Sequence, residues 1–211
     1  IQAIYEPGST YKIVSTAGAL NEGLATPQTV VPCYGGRFNE GRVSVPDHHP
    51  YGNLTLEGVL IKSSNIGAYM FARQLGPKRF YQYTSDWGFG RKTGILLGGE
   101  SSGIARNTNN AVDFSRASYG YALNVTPLQM ACFAASIARD EVWTQPYLLH
   151  DPARPPQRQE STGLNAAQRA ALAAAARARP IRRWADHAAE LVAWQGGLAR
   201  RRRDRLPFRL P

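Results

Sequence analysis

Apolar residues Ile13, Val14, Ala17 and Leu20 recur at helical intervals and stop before Gly23, which predicts an amphipathic helix starting just after Pro7-Gly8. Residues 25–53 lose this periodicity among glycines, prolines and isolated polar positions. They predict an irregular wall, with Arg42-Val43-Ser44-Val45 at most a short strand. Helical patterning returns over 55–61 and 65–75, so that Ser63-Ser64-Asn65 falls at a junction of two helices, the second closed by Gly76. A further helical segment is predicted over 77–87, with Phe80, Tyr83 and Trp87 on one stripe and Tyr81 beside it, an arrangement that suits packing better than a ligand site.

The sharpest local signal is Thr126-Pro127-Leu128-Gln129. Thr126 can cap a helix, Pro127 suits its first position and Gln129 can reach back to complete a capping box, ahead of Met130, Phe133, Ala134 and Ile137 on one face. Farther on, Asn165 can cap a helix with Gln168, and residues 186–199 predict another.

Composition changes this picture in one respect. The chain has 211 residues, 43% hydrophobic, as suits a globular core of one or two domains, but its charge is unevenly placed. Residues 1–150 hold 12 Lys+Arg against 10 Asp+Glu, and 151–211 hold 13 arginines against 5 acids. The basic pI therefore belongs to the tail, the first 150 residues are almost neutral, and no nucleic-acid partner is expected. Cys33 and Cys132 form neither a metal-ligand spacing nor a disulfide framework, and Cys132 is read as core. His48-His49 stands in a loop without acidic or cysteine residues at ligand spacing, so no metal and no cofactor is expected.

Candidate chemistry lies at Ser9 and Lys12. Three residues apart at a helix start, they share one face, so the lysine amine can lie beside the serine hydroxyl. A serine needs such a neighbour to take its proton, and a lysine can act only where its surroundings favour the neutral amine. The spacing alone also fits many surface helices.

The surrounding residues resemble a known family. Pro7-Gly8-Ser9-Thr10-Tyr11-Lys12 is similar to the active-site serine motif of penicillin-binding proteins, and Lys62-Ser63-Ser64-Asn65-Ile66-Gly67 resembles the Ser-x-Asn motif of the class B, division-type enzymes. Asp47-His48-His49-Pro50-Tyr51-Gly52, Gly88-Phe89-Gly90, Gly99-Glu100 and the run from Tyr119 to Gln129 follow in the order of those enzymes, and the likeness covers residues 1 to about 160.

The resemblance implies a peptidoglycan D,D-transpeptidase, with stem peptides and β-lactams as partners, together with division or elongation proteins. Ser9 would carry the acyl-enzyme, Lys12 would be the base, Ser63 would relay a proton to the leaving amine and Asn65 would hold the substrate amide. The implied location is the extracytoplasmic face of the bacterial inner membrane. The chain itself shows no anchor and no signal-like start. It opens eight residues before Ser9, so we expect a truncated or frameshifted piece of such an enzyme.

The family's third motif, Lys-Thr-Gly on a strand, normally binds the substrate carboxylate and supplies an oxyanion donor. Lys92-Thr93-Gly94 matches its letters but precedes the Thr126 helix, is followed by no alternating strand and leads into Gly99-Glu100, so it is read as a loop. This loop has Gly98 where the family usually has proline. After Lys92 no Lys, Arg or His precedes Thr-Gly or Ser-Gly. The expected fold class is therefore α+β, the helical part of the serine β-lactamase and penicillin-binding transpeptidase fold, with most of its central antiparallel sheet missing. The expected domains are 1–160, a partial transpeptidase, and 161–211, an Ala/Arg-rich tail of the kind a frameshift in a GC-rich gene produces. The alternative is a non-catalytic remnant or a partner-binding piece of a cell-wall assembly. A β-lactamase-type hydrolase fits less well, since no acidic residue stands where it would activate a deacylating water.

Overall fold

The computed structural model describes residues 1–138, 142–148, 153, 158–160, 165, 167–168, 170–171 and 174, all within the compact unit Ile1–Ala176. The predicted tail helix over 186–199 and the arginine run at 200–203 lie outside the described residues. Among those described there are five α-helices and three short antiparallel strand pairs, an α+β arrangement with no broad sheet.

The first predicted helix forms as a 3-10 turn over Gly8–Tyr11 that runs directly into α1 (Lys12–Asn21), whose Val14, Ala17 and Leu20 are fully buried. Helix α2 (Leu56–Lys62) is capped by Thr55, whose hydroxyl accepts from Gly58 N at 3.0 Å. It ends where Ser63 turns into the left-handed region (φ 58°, ψ 39°). Ser64 then caps α3 (Asn65–Asp86), its Oγ accepting from Gly67 N at 2.9 Å. The segments predicted over 65–75 and 77–87 are both present, as two halves of α3 meeting at Gly76. Its φ of 77° with ψ of 156° is open essentially to glycine alone, and Pro77 takes the first position of the second half. Helix α4 (Ala111–Ala117), which the hydrophobic pattern does not announce, is capped by Asn110 Oδ1 on Val112 N at 2.8 Å.

The capping box of α5 (Pro127–Ala138) closes as anticipated. Thr126 N donates to Gln129 Oε1 at 2.8 Å and Gln129 N to Thr126 Oγ1 at 3.1 Å. Its buried face differs from the apolar series, however. Phe133 is buried and Met130 and Ile137 are half-buried, but Ala134 is exposed, and Gln129, Cys132 and Ser136 complete the inner stripe. Polar side chains are tolerated there because they find partners: Gln129 Nε2 donates to the carbonyls of Arg91 (2.8 Å) and Ser102 (2.9 Å), and Ser136 Oγ to that of Phe133 (2.8 Å).

The wall over residues 25–53 is more regular than its sequence suggests. Beyond the anticipated β3 (Val43–Pro46), it contains β1 (Val30–Pro32) and β2 (Arg37–Glu40), with β4 (Asn53–Thr55) at its end. β1 pairs antiparallel with β4, and β2 with β3 in a hairpin turned at Gly41-Arg42, burying Phe38, Val43 and Val45 on one side. β5 (Val142–Thr144) pairs antiparallel with β6 (Arg158–Glu160). The predicted Asn165/Gln168 capping pair also forms, and Gln168 Nε2 donates to the Leu20 carbonyl at 2.6 Å.

The core lies between α1, α3 and the aromatic residues behind them. Ring centroids lie 5.0 Å apart for Tyr11 and Phe89, 5.2 Å for Phe89 and Phe133, and 5.5 Å for Phe80 and Phe114. Phe80, Tyr83 and Trp87 are all buried, so the aromatic stripe is packing, as its spacing suggested. Helices α2 and α3 approach so closely that a Cβ on Gly67 would stand 2.2 Å from Val59 Cγ2. Gly67→Ala should therefore destabilise the fold by about 1–3 kcal/mol, and Val59→Ala in the same chain should recover part of that loss. A thermal-melt double-mutant cycle checks this: simple additivity of the two changes would show that the two side chains do not compete for the same space.

Candidate active site

The 3-10 turn places Ser9 and Lys12 more tightly than an α-helix does, because with three residues per turn their side chains eclipse. Lys12 Nζ donates to Ser9 Oγ at 3.0 Å. From the α2–α3 junction the left-handed Ser63 brings both its oxygens to the same amine: Nζ donates to Ser63 Oγ at 2.9 Å and also to the Ser63 carbonyl. Lys12 is only 1% exposed, and its amine thus bridges two hydroxyls from segments more than fifty residues apart in sequence. Ser9 and Ser63 remain partly open to solvent.

Asn65, the first residue of α3, is half-buried beside this bridge, its Nδ2 donating to the Pro46 carbonyl at 2.8 Å. The structure therefore brings Ser9, Lys12 and Ser63 into direct hydrogen bonding, with Asn65 two residues away from Ser63 at the helix start.

Two supports hold the Ser9 turn. Tyr11, fully buried, donates its hydroxyl to Thr84 Oγ1 at 2.7 Å, and burial pushes its phenol well above the ordinary range, so it stays a neutral donor. On the other side Gly8 N donates to the Gly120 carbonyl at 2.9 Å, Tyr5 and Val125 exchange backbone bonds at 3.0 and 2.9 Å, and Ser15 Oγ donates to the Ser118 carbonyl at 2.7 Å. The two segments approach so closely that a Cβ on Gly120, at φ 92°, would lie 2.0 Å from the Gly8 carbonyl oxygen.

One residue whose position no local signal revealed is Asp47. Its Oδ1 accepts from Asn65 N and from Ile66 N (3.1 Å), and its Oδ2 from Ser64 Oγ at 2.6 Å. The sequence shows it only as part of a loop string, because its partners lie 17–19 residues farther on.

Lys92-Thr93-Gly94 lies in a loop, as read from its surroundings. Thr93 N and Oγ1 donate to Glu100 Oε1 at 2.7 and 2.5 Å, Gly94 N donates to Oε2 at 3.2 Å, and Glu100 and Thr93 are buried together. Among the described residues no cluster of His, Cys, Asp and Glu is arranged to hold a metal ion, and no helix is long and apolar enough to cross a membrane.

Residues 1–171 match the penicillin-binding protein transpeptidase domain. The chain belongs to this family. Relatives of the transpeptidase domain include penicillin-binding protein PbpB of Mycolicibacterium smegmatis, 37% identical over 71% of the chain and 24% of that protein. The peptidoglycan D,D-transpeptidase FtsI of Escherichia coli is 37% identical over 65% of the chain and 23% of that protein. These are class B penicillin-binding proteins, and the chain is of their kind. Penicillin-binding protein 3 of Mycobacterium tuberculosis, solved in complex with aztreonam, superposes with a TM-score of 0.72 at 29% identity, covering 82% of the chain and 41% of that protein. The chain thus spans about a quarter of the length of the curated relatives it matches, and its α+β fold is a partial transpeptidase fold.

Proposed function

We propose that the domain carries the acylation site of a peptidoglycan D,D-transpeptidase. Ser9 Oγ attacks the carbonyl of the D-Ala-D-Ala peptide bond while Lys12 takes its proton. The C–N bond then breaks, Ser63 passes a proton to the leaving D-alanine amine, and an acyl ester remains on Ser9 until an amine of a neighbouring stem peptide takes the acyl group. Asn65 holds the substrate amide. A β-lactam enters by the same attack on its ring amide. The observation that carries this reading is the Lys12 amine bridging Ser9 Oγ at 3.0 Å and Ser63 Oγ at 2.9 Å, which joins nucleophile, base and relay in one chain of hydrogen bonds. The relatives named as D,D-transpeptidases support it.

In this reading the work is done on the extracytoplasmic face of the inner membrane, with division or elongation proteins as recruiting partners, and residues 161–211 take no part in the chemistry. Turnover is impaired, since residues 95–211 offer no Lys-Thr-Gly equivalent and loss of one oxyanion donor lowers a rate by about a hundred- to a thousandfold. That departure is also what favours the second reading, a non-catalytic remnant or partner-binding piece.

The deciding experiment is incubation of the 211-residue chain with a fluorescent penicillin, followed by intact-mass analysis and peptide mapping. A single covalent adduct on the peptide containing Ser9, absent in Ser9→Ala, is the expected result. A folded chain that acquires no adduct would sink the acylation reading and leave the remnant.

A further inference from the structure

We propose that Asp47 is a positioning residue of this site, the acceptor that fixes Ser63 and Asn65 relative to the Lys12 amine. The inference rests on the acylation reading above and deepens it. Ser63 and Asn65 flank a sharp change of direction: Ser63 is left-handed at φ 58°, and Ser64 is extended at φ −66°, ψ 125° before α3 begins. A non-glycine residue in the left-handed region needs surrounding contacts to hold it. The N–H groups of the first α3 residues have no partner inside the helix.

The Asp47 carboxylate supplies those contacts from outside the helix. One oxygen takes two successive amides, Asn65 and Ile66, and the other takes the Ser64 hydroxyl, so the three residues after Ser63 are all held by a single side chain. Negative charge at a helix N-terminus is favourable in itself. Ser64 Oγ also lies 3.4 Å from Cys33 Sγ, but the carboxylate at 2.6 Å is the nearer and stronger acceptor of its hydrogen bond.

Asp47 is in turn fixed by its own backbone. Its N–H donates to the Gly36 carbonyl at 2.9 Å, and the preceding Pro46 carbonyl accepts from Asn65 Nδ2 at 2.8 Å. The hairpin of β2 and β3 therefore carries two acceptors side by side, one orienting the Asn65 side chain and the other its backbone. Ser63 is pulled toward Lys12 from one side, while Ser64 and Asn65 are held on Asp47 from the other. The Ser-x-Asn element is thus oriented by a third part that lies some seventeen residues earlier in the chain.

The test compares Asp47→Ala and Asp47→Asn with the unaltered chain by two measurements. One is the rate constant of acylation at saturating fluorescent penicillin, per folded molecule, with the apparent binding constant taken separately. The other is amide hydrogen exchange at residues 63–66. Asp47→Ala should lower the saturating rate by roughly ten- to a hundredfold, as expected of an ångström-scale displacement of a catalytic group, with little change in the binding constant and with lost protection at Asn65 and Ile66. Asp47→Asn keeps a carbonyl oxygen for both amides and should recover most of the rate and the protection. If Asp47→Ala does not fold, Asp47→Ser, which retains one oxygen, should fall between the other two.

A lower melting temperature with an unchanged rate per folded molecule would overturn the proposal, as would unchanged exchange at 63–66. If the unaltered chain itself is not acylated, the Ser9 reading fails. The exchange measurement then decides alone: protection lost in Asp47→Ala and kept in Asp47→Asn sustains the role of Asp47, and equal protection in all three refutes it.

Discussion

Replacing Lys12 with methionine should slow acylation at Ser9 by roughly a thousandfold while leaving the fold in place, within the range over which a positioned base contributes. Methionine has nearly the length of lysine and can fill the same buried channel, so the change removes the amine and little of the packing. Ser9 Oγ then has no base at 3.0 Å, and the link to Ser63 Oγ is cut at the same stroke. Lys12→Arg is the informative companion. A guanidinium is permanently protonated, so it can donate hydrogen bonds to the hydroxyls yet cannot accept the serine proton, and it should be about as slow as methionine. Time courses of fluorescent-penicillin labelling, with a thermal melt of each variant, make the measurement. Labelling of either variant at the rate of the unaltered chain would remove Lys12 from the role of base.

Gly120→Ala should be the most damaging single-methyl change outside the Ser9–Lys12 pair. Its Cβ would stand 2.0 Å from the Gly8 carbonyl oxygen, and its φ of 92° is strained for any L side chain. The obstacle is backbone, so no rotamer relieves it, and the only escape is to move apart the two segments joined by the Gly8 N to Gly120 O bond. Overpacking and backbone strain together predict a loss of about 3 kcal/mol or more. For a domain of this size that corresponds to a fall of roughly 6–12 °C in melting temperature. Because Ser9 follows Gly8 directly, the displacement should also reach the nucleophile, and acylation should fall by roughly a hundredfold. A melting temperature within about two degrees of the unaltered chain would show that this approach is slack.

What the sequence disclosed follows the range of each interaction. Ser9 and Lys12, Thr126 and Gln129, and Asn165 and Gln168 are all pairs three residues apart, and each forms the bond its spacing suggested. The pairing of β1 with β4 was not legible. Each strand has three residues, too few to establish an alternation, and β1 ends in a proline. Helix α4 was not legible either, because seven residues are too short for a periodic signal. The apolar series turns Ala134 inward, whereas the face that is buried carries Gln129 and Ser136, made tolerable by hydrogen bonds that span up to 38 residues. The contacts of Asp47 are hidden in the sequence for a related reason, since its partners lie 17–19 residues farther on. The nucleophile and its base are a local construction, but the frame that aims Ser63 and Asn65 is a tertiary one.

Lys92-Thr93-Gly94 is the opposite case, a letter match without the element, and its surroundings in the sequence already mark it as a loop. Thr93 directs both its amide and its hydroxyl to Glu100, and the segment is a loop. A motif defined by a strand is identified by the strand.

The close approach of Gly67 and Val59 has a consequence for how this domain can change over descent. What blocks a larger residue at 67 is a side chain, and side chains can shrink. The two positions can therefore drift together, a gain of bulk at one answered by a loss at the other, and they should appear as a covarying pair among relatives. Gly120 has no such companion, because it faces a carbonyl oxygen that every residue possesses.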